Sequence, residues 1–314
     1  MSGSRPTQSK PRGYNVADLT SADIEGIQEY LRTTREDIMT WLPPEWVPAW
    51  KSPASAEMSN REVGDGGALW GEAPVRGAYS TAQIFIYAVI DCLGGLADSI
   101  NLLSTAYLSN VITRAAMEAG SQAWWLLEPG IGPRRRVIRS ALIRAQSAKY
   151  LEKAVQELDP NAQAANYGED PAKAAANTKK LGLACNNVRI NRTWRWTCET
   201  ETLPTYTERA TEFQKHVFAP AAYAIYSGAA HAELYAVSQG WRASAITPNL
   251  WERRPDRVVV WAAAIVAAGF AAMPALRAIL LLGKNARRID FIHHVENLNS
   301  LVRKLDLPRA WQTP

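Results

Sequence analysis

Apolar residues recur at helical spacing through most of the chain. Ile24, Ile27, Leu31 and Ile38 fall three, four and seven apart, which predicts a first helix over 21–39 with Ser21 as its cap. The next forty residues lose that period. In "TWLPPEWVPAWKSPASAEMSNREVGDGGALWGEAPVRG" Pro and Gly forbid a long helix, while Trp41, Trp46, Trp50 and Trp70 argue against free disorder. An irregular segment plastered on the body is expected there. From Ser80 onward the helical period returns, over 80–103 and 104–127 as one bent helix or two, with Gly94 and Gly95 marking a kink. "EPGIGP" at 128–133 is a stop: Gly130 suits a C-terminal cap, and Pro133 suits the first turn of a helix over 133–158.

A loop follows, then a short Ala-rich helix from Pro171 to about Cys185. Residues 186–205, "NNVRINRTWRWTCETETLPT", alternate Arg or Asn with Val, Ile and Trp, the pattern of an extended excursion or a hairpin. Helix resumes over 205–240 with a kink near Pro220, and "WRASAITPNLWERRP" is a Trp-bracketed loop. An apolar helix over 255–282 is ended by Gly283, and 286–305 forms the last helix. Seven or eight helices with almost no strand make the class all-α, a multi-helix bundle with a long irregular Trp/Pro-rich N-terminal segment. The organisation expected is a disordered basic tail at 1–20, an N-terminal helix and irregular segment at 21–79, the bundle at 80–307 and a tail at 308–314.

Composition adds limits. Hydrophobic residues at 47% and charged residues at 21% suit a soluble globular chain, and Ala-rich apolar runs point to close-packed helices. A formal net charge of +5 permits an anionic partner without demanding one. The three cysteines, Cys92, Cys185 and Cys198, show no CxxC spacing, and their odd number argues against a disulfide scaffold or zinc knuckle. A cytoplasmic location, no cofactor and no metal follow as expectations. The N-terminal residues lack the apolar core of a signal peptide. Residues 258–276 run 19 positions without a charge, long enough to cross a bilayer. Their Ala content, with Arg277 directly after, favours a buried central helix over a membrane span.

Candidate chemistry gathers on two helices. In "YAIYSGAAHAELY", Tyr223, Ser227, His231 and Tyr235 recur every four residues and share one helical face among small apolar neighbours. In "RAAMEAGSQAWW", Arg114, Glu118 and Gln122 do the same. Buried polar groups need partners, so the two stripes are expected to meet, with Arg114 and Glu118 beside Tyr226 or Ser227 and His231. As a catalytic set, His231 is an acid–base group, Arg114 an anion binder and Glu118 an orienting group. As a structural set, the same residues fix helix register.

In the last helix, "ARRIDFIHHVENLNSLVRKL", Arg287 and His294 are two helical turns apart on one face, and Arg288 and His293 are separated by four residues. This resembles the arginine-to-histidine motif of the HEPN family, small helical bundles that often dimerise and cleave RNA without metal. Ile289 stands where that family has a polar residue. The resemblance implies a histidine, His293, at the scissile phosphate and an arginine, Arg288, stabilising its charge. Over about 80–305, "RAAME" followed by "YSGAAH" also resembles all-helical bacterial proteins of unassigned activity related to HEPN and abortive-infection domains.

Two basic features complete the reading. "VRINRTWRW" interleaves Arg189, Arg192 and Arg195 with Trp194 and Trp196, a composition that pairs phosphate contacts with base stacking, or that holds a loop by cation–π contacts. "RRR" at 134–136 opens a helix at the unfavourable end of its dipole, either awaiting an anion or solvated. The function classes left are a HEPN-like ribonuclease or defence effector acting on RNA, and a non-enzymatic helical module for a protein or small ligand.

Overall fold

The computed structural model describes residues 18–42, 45–59, 70–101, 106–158, 171–216, 222–233, 241–243, 251–253 and 257–283, with the single positions His293 and Glu296. The helices among them are α1 (Ser21–Trp41), α2 (Pro53–Ser59), α3 (Ala73–Ser99), α4 (Ala106–Leu126), α5 (Gly132–Leu158), α6 (Pro171–Lys180), α7 (Tyr206–Gln214), α8 (Ala222–Ala230) and α9 (Arg257–Leu281). Strands β1 (Asn186–Ile190), β2 (Thr193–Cys198) and β3 (Glu201–Thr202) form one antiparallel sheet in that order, and β4 (Trp241–Ala243) pairs with β5 (Trp251–Arg253). The class is all-α, a helical bundle.

Several boundaries differ from the sequence reading. Thr20, not Ser21, caps α1: its hydroxyl accepts from the Asp23 amide while the Asp23 carboxylate accepts from the Thr20 amide. Ile24, Ile27, Leu31 and Ile38 are all buried, as their spacing predicts. The irregular N-terminal segment contains a short helix, α2, and holds Trp41 and Trp46 in the core but leaves Trp50 exposed. Helix α3 begins at Ala73 rather than Ser80, because Pro74 in its first turn needs no amide partner there. Gly94 and Gly95 lie inside its unbroken run, and α3 and α4 are separate helices. The residues 186–205 form a hairpin, and 241–253 carries a second strand pair where only a loop was expected. The N-terminal tail, the Pro220 kink, the helix over 286–305 apart from His293 and Glu296, and the C-terminal tail lie outside the described residues.

The bundle is built around α9. It packs on α1, α3 and α4, and 17 of its residues are buried, Val260 to Leu281 among them. Helices α3 and α9 are each long and apolar enough to cross a membrane; most of α9's apolar window is enclosed by its neighbours, as a core helix requires. Helix α4 packs tightly on α9 at Gly120, where an added Cβ would overlap the Phe270 carbonyl oxygen. That close approach lets α4 turn its other side toward α7 and α8, with Met117, Phe213, Tyr223, Tyr226 and Phe270 forming a second small core.

Candidate functional site

The two polar stripes meet where α4 packs on α8. Arg114 Nε donates to Glu118 Oε1 at 2.8 Å, Nη1 to Ser227 Oγ at 2.6 Å and Nη2 to Tyr223 OH at 3.2 Å. Tyr223 OH in turn donates to Glu118 Oε1 at 3.2 Å. Every nitrogen of the guanidinium has a protein partner, and its plane also lies over the Tyr223 ring. The Arg114 side chain is 14% exposed and Glu118 28%. Burial pushes the Tyr223 hydroxyl above its ordinary range, with the neighbouring Glu118 adding to it.

His231 does not join this seam. Helix α8 stops at Ala230, where the Ala232 amide donates to the Ala229 carbonyl and the Glu233 amide to the Gly228 carbonyl. With Ala232 at φ 54°, these two bonds make a Schellman termination. His231 is therefore the capping residue at an exposed turn rather than the third member of a helical stripe. Tyr235 lies outside the described residues. Tyr226 faces the second core among Met117, Phe213 and Phe270, where burial raises its hydroxyl well above the usual range.

Of the second histidine set, Arg287, Arg288 and His294 lie outside the described residues. His293 is exposed, with Nδ1 3.3 Å from Glu296 Oε2.

The hairpin separates the third set. Cross-strand partners are Arg189 with Trp194 and Asn187 with Trp196, so these four share one face, while Arg195 points to the other. There Arg195 forks onto Glu208 of α7 at 2.5 and 2.8 Å. The Glu208 carboxyl is held down to about 2 by that fork, against some burial and with help from the Thr205 amide. Arg192 sits in the two-residue turn at φ 67°, after Asn191 at φ 47°. On the aromatic face Trp196 packs partly on the main core and Trp194 is 66% exposed. Helix α5 completes a cleft of about 530 Å³ with Gln146, Lys149, Tyr150, Lys153 and one carboxylate, Glu152. The Asn187 amide oxygen accepts from Lys149 Nζ at 3.1 Å, tying strand to helix, and Lys153 is 3.6 Å from Glu157.

The arginines at the start of α5 are each paired with a carboxylate of the protein, Arg135 while half exposed and Arg136 while fully buried. Arg134 pairs with Glu199, Arg135 with Glu201, and Arg136 donates to Glu57 at 2.7 and 2.9 Å. Arg139 reaches Glu201 at 3.0 Å, Glu128 at 2.6 Å and the Trp125 carbonyl at 2.6 Å. Arg136 is fully enclosed, and its Nη1 also donates to the Leu126 carbonyl. The pairs to Glu57, Glu199 and Glu201 pin α2 and the β2–β3 arm onto the bundle, and sequence reasoning missed them because these three acids lie 62 to 79 residues from their arginines. Trp125 is faced by Arg139 and by Arg209, whose guanidinium burial lowers to about 10. No group of three or more metal-ligating side chains occurs among the described residues.

Compared with models of known families, with curated proteins and with solved structures, the chain finds no match.

Proposed function

We propose that this protein is a helical binding module for single-stranded nucleic acid, taken by the face where the β1–β2 hairpin meets α5. The observation that carries it is Trp194, a large indole held 66% exposed on a strand, aligned with Trp196 and beside Tyr150, Lys149, Lys153 and Arg189. An exposed aromatic platform flanked by cations stacks bases and meets phosphates without reading sequence. The Arg114 seam serves as scaffolding, since each of the three guanidinium nitrogens donates to a side chain of the protein.

Fluorescence anisotropy with a labelled single-stranded RNA, its DNA counterpart and the duplex tests this. The single strands bind more tightly than the duplex, affinity falls with salt, and Trp194→Ala weakens binding roughly 10- to 100-fold. Equal affinity of wild type and Trp194→Ala rejects the face. A ribonuclease reading rests on His293 and its neighbours Arg287, Arg288 and His294, and is separated in the same samples. RNA cleavage in chelator that is lost in His293→Ala and His294→Ala, and retained in His231→Ala, supports it; intact RNA throughout leaves the binding module.

A further inference from the structure

The base of the hairpin brings two cysteines together that lie thirteen residues apart in sequence. Ile190 pairs with Thr193 across a two-residue turn in which Asn191 and Arg192 both have positive φ, the type I′ geometry. Such a turn is closed by a hydrogen-bonded pair, and pairs then alternate along the ladder. The ladder ends at Asn186/Thr197, a hydrogen-bonded pair by that alternation, so the residues that follow it on the two arms, Cys185 just before β1 and Cys198 at the end of β2, are set opposite one another at the next, non-hydrogen-bonded position. Facing Cα atoms at such positions are about 4.5 Å apart, inside the roughly 4.4–6.8 Å window that a disulfide spans.

The electrostatics agree with that placement, since each thiol is the largest influence on the acidity of the other. Cys185 is held above its ordinary range by Cys198 and by burial, while Cys198 is held below it by Cys185 despite its burial, with Glu199 pushing it up and Arg134 pushing it down. The two differ in access. Cys198 is buried, whereas Cys185 is half-buried and lines a cleft of about 490 Å³ with Lys149, Thr178, Lys179, Leu183 and Trp196. Cys92, on α3, has no such neighbour among the described cysteines and is raised by burial.

We propose that Cys185 and Cys198 form a dithiol site that is oxidised reversibly to an intramolecular disulfide by a low-molecular-weight disulfide such as oxidised glutathione. The reaction balances as two exchanges. Cys185, the more accessible thiol, gives its proton to solvent at the cleft; the resulting thiolate attacks one sulfur of the oxidant and expels one thiolate, which takes up a proton in turn. The Cys198 thiolate then attacks the Cys185 sulfur of the mixed disulfide and expels the second small thiol. The protein pair gives up two electrons, the oxidant accepts them, and the two protons end on the two released thiols. Lys149 and Lys179 at the cleft outnumber its one carboxylate, Glu152, and favour an anionic oxidant. The link joins the residue before β1 to the last residue of β2 and so closes the hairpin at its stem, whether or not the adjacent face binds nucleic acid.

The test uses the full chain, reduced and then equilibrated with oxidised glutathione, alkylated with iodoacetamide and digested for mass spectrometry. A cross-linked peptide joining Cys185 to Cys198, with Cys92 alkylated, is the expected result. Alkylation of all three cysteines, or a lasting glutathione adduct on Cys185 in the wild type, overturns the proposal. In Cys198→Ser the glutathione adduct on Cys185 should persist; its absence from that variant also counts against the assigned order of attack. Hydrogen exchange reads whether the link belongs to the native fold: β1–β2 amides slow about tenfold or more on oxidation, and unchanged exchange overturns it.

Discussion

The seam between α4 and α8 and the face between the hairpin and α5 use the same residue types to opposite ends. In the seam an arginine, a carboxylate, a tyrosine and a serine close on one another until every nitrogen of Arg114 has a partner within the protein. On the hairpin face Trp194 stays exposed while Arg189 and Arg192 point into solvent. Arg195, one residue from Trp194, is turned by the strand's pleat onto Glu208 and behaves like a seam residue. The difference teaches that an arginine's role here is set by whether a carboxylate reaches it, and that unspent binding capacity lies where none does.

That contrast can be broken most severely at the most enclosed pair. Glu57→Ala leaves Arg136 charged and buried with only carbonyls and the Tyr79 ring for company, at a cost of about 3–5 kcal/mol in urea unfolding. Nucleic-acid affinity of the protein that stays folded should not change. A loss of less than about 1 kcal/mol would remove the case for an inward, structural arginine.

Arg114→Lys comes next. A lysine places one point charge where the guanidinium serves three partners, leaving Ser227 or Tyr223 unpaired and lowering stability by roughly 1–3 kcal/mol. Were Arg114 instead a ligand-binding group, stability would hold and affinity would fall.

The Arg195–Glu208 pair gives a smaller, pH-dependent effect. Glu208 is held down to about 2 in the fold against 4.5 as an isolated group, so its contribution is present above about pH 4.5 and is lost as pH falls toward 2. The pair is half exposed, and the loss stays below about 1 kcal/mol. Protection of the hairpin amides, taken as exchange relative to the unstructured chain at each pH in this window, should lose its pH dependence in Glu208→Gln.

The smallest effect sharpens the hairpin. Arg192 holds φ 67° in the I′ turn, a conformation that glycine adopts freely, so Arg192→Gly should stabilise the hairpin by about 0.5 kcal/mol. A destabilisation there would show that Arg192 makes contacts that offset its backbone strain.

Periodicity made the bundle legible: the apolar spacing of α1, the stop at "EPGIGP" and the core character of α9 all read directly from the chain. It also brought Arg114 and Glu118 opposite Ser227, because two lone polar stripes among small residues have to satisfy each other. What stayed hidden was non-local. His231 was placed on the stripe because "YSGAAHAELY" holds no glycine or proline after Gly228 to signal a stop; the chain turns at Ala232, a residue with no preference for that backbone. The acids that hold Arg134, Arg135 and Arg136 come from α2 and the β2–β3 turn, and no spacing rule links residues 65 or 79 positions apart. The cysteine pair escaped for a related reason, since only the hairpin register makes Cys185 a neighbour of Cys198.

Gly120 carries a consequence for anyone engineering this chain. In a library with all twenty residues at each position of α4, the seam would tolerate paired exchanges and the outer face nearly anything, but position 120 would accept a single letter. Any side chain there must push the Phe270 peptide aside, and because Phe270 belongs to the second core with Tyr223 and Tyr226, the displacement would reach the Arg114 seam without touching one of its members. The smallest residue in the helix thus acts as the molecule's spacer gauge, setting how closely every neighbouring part may sit.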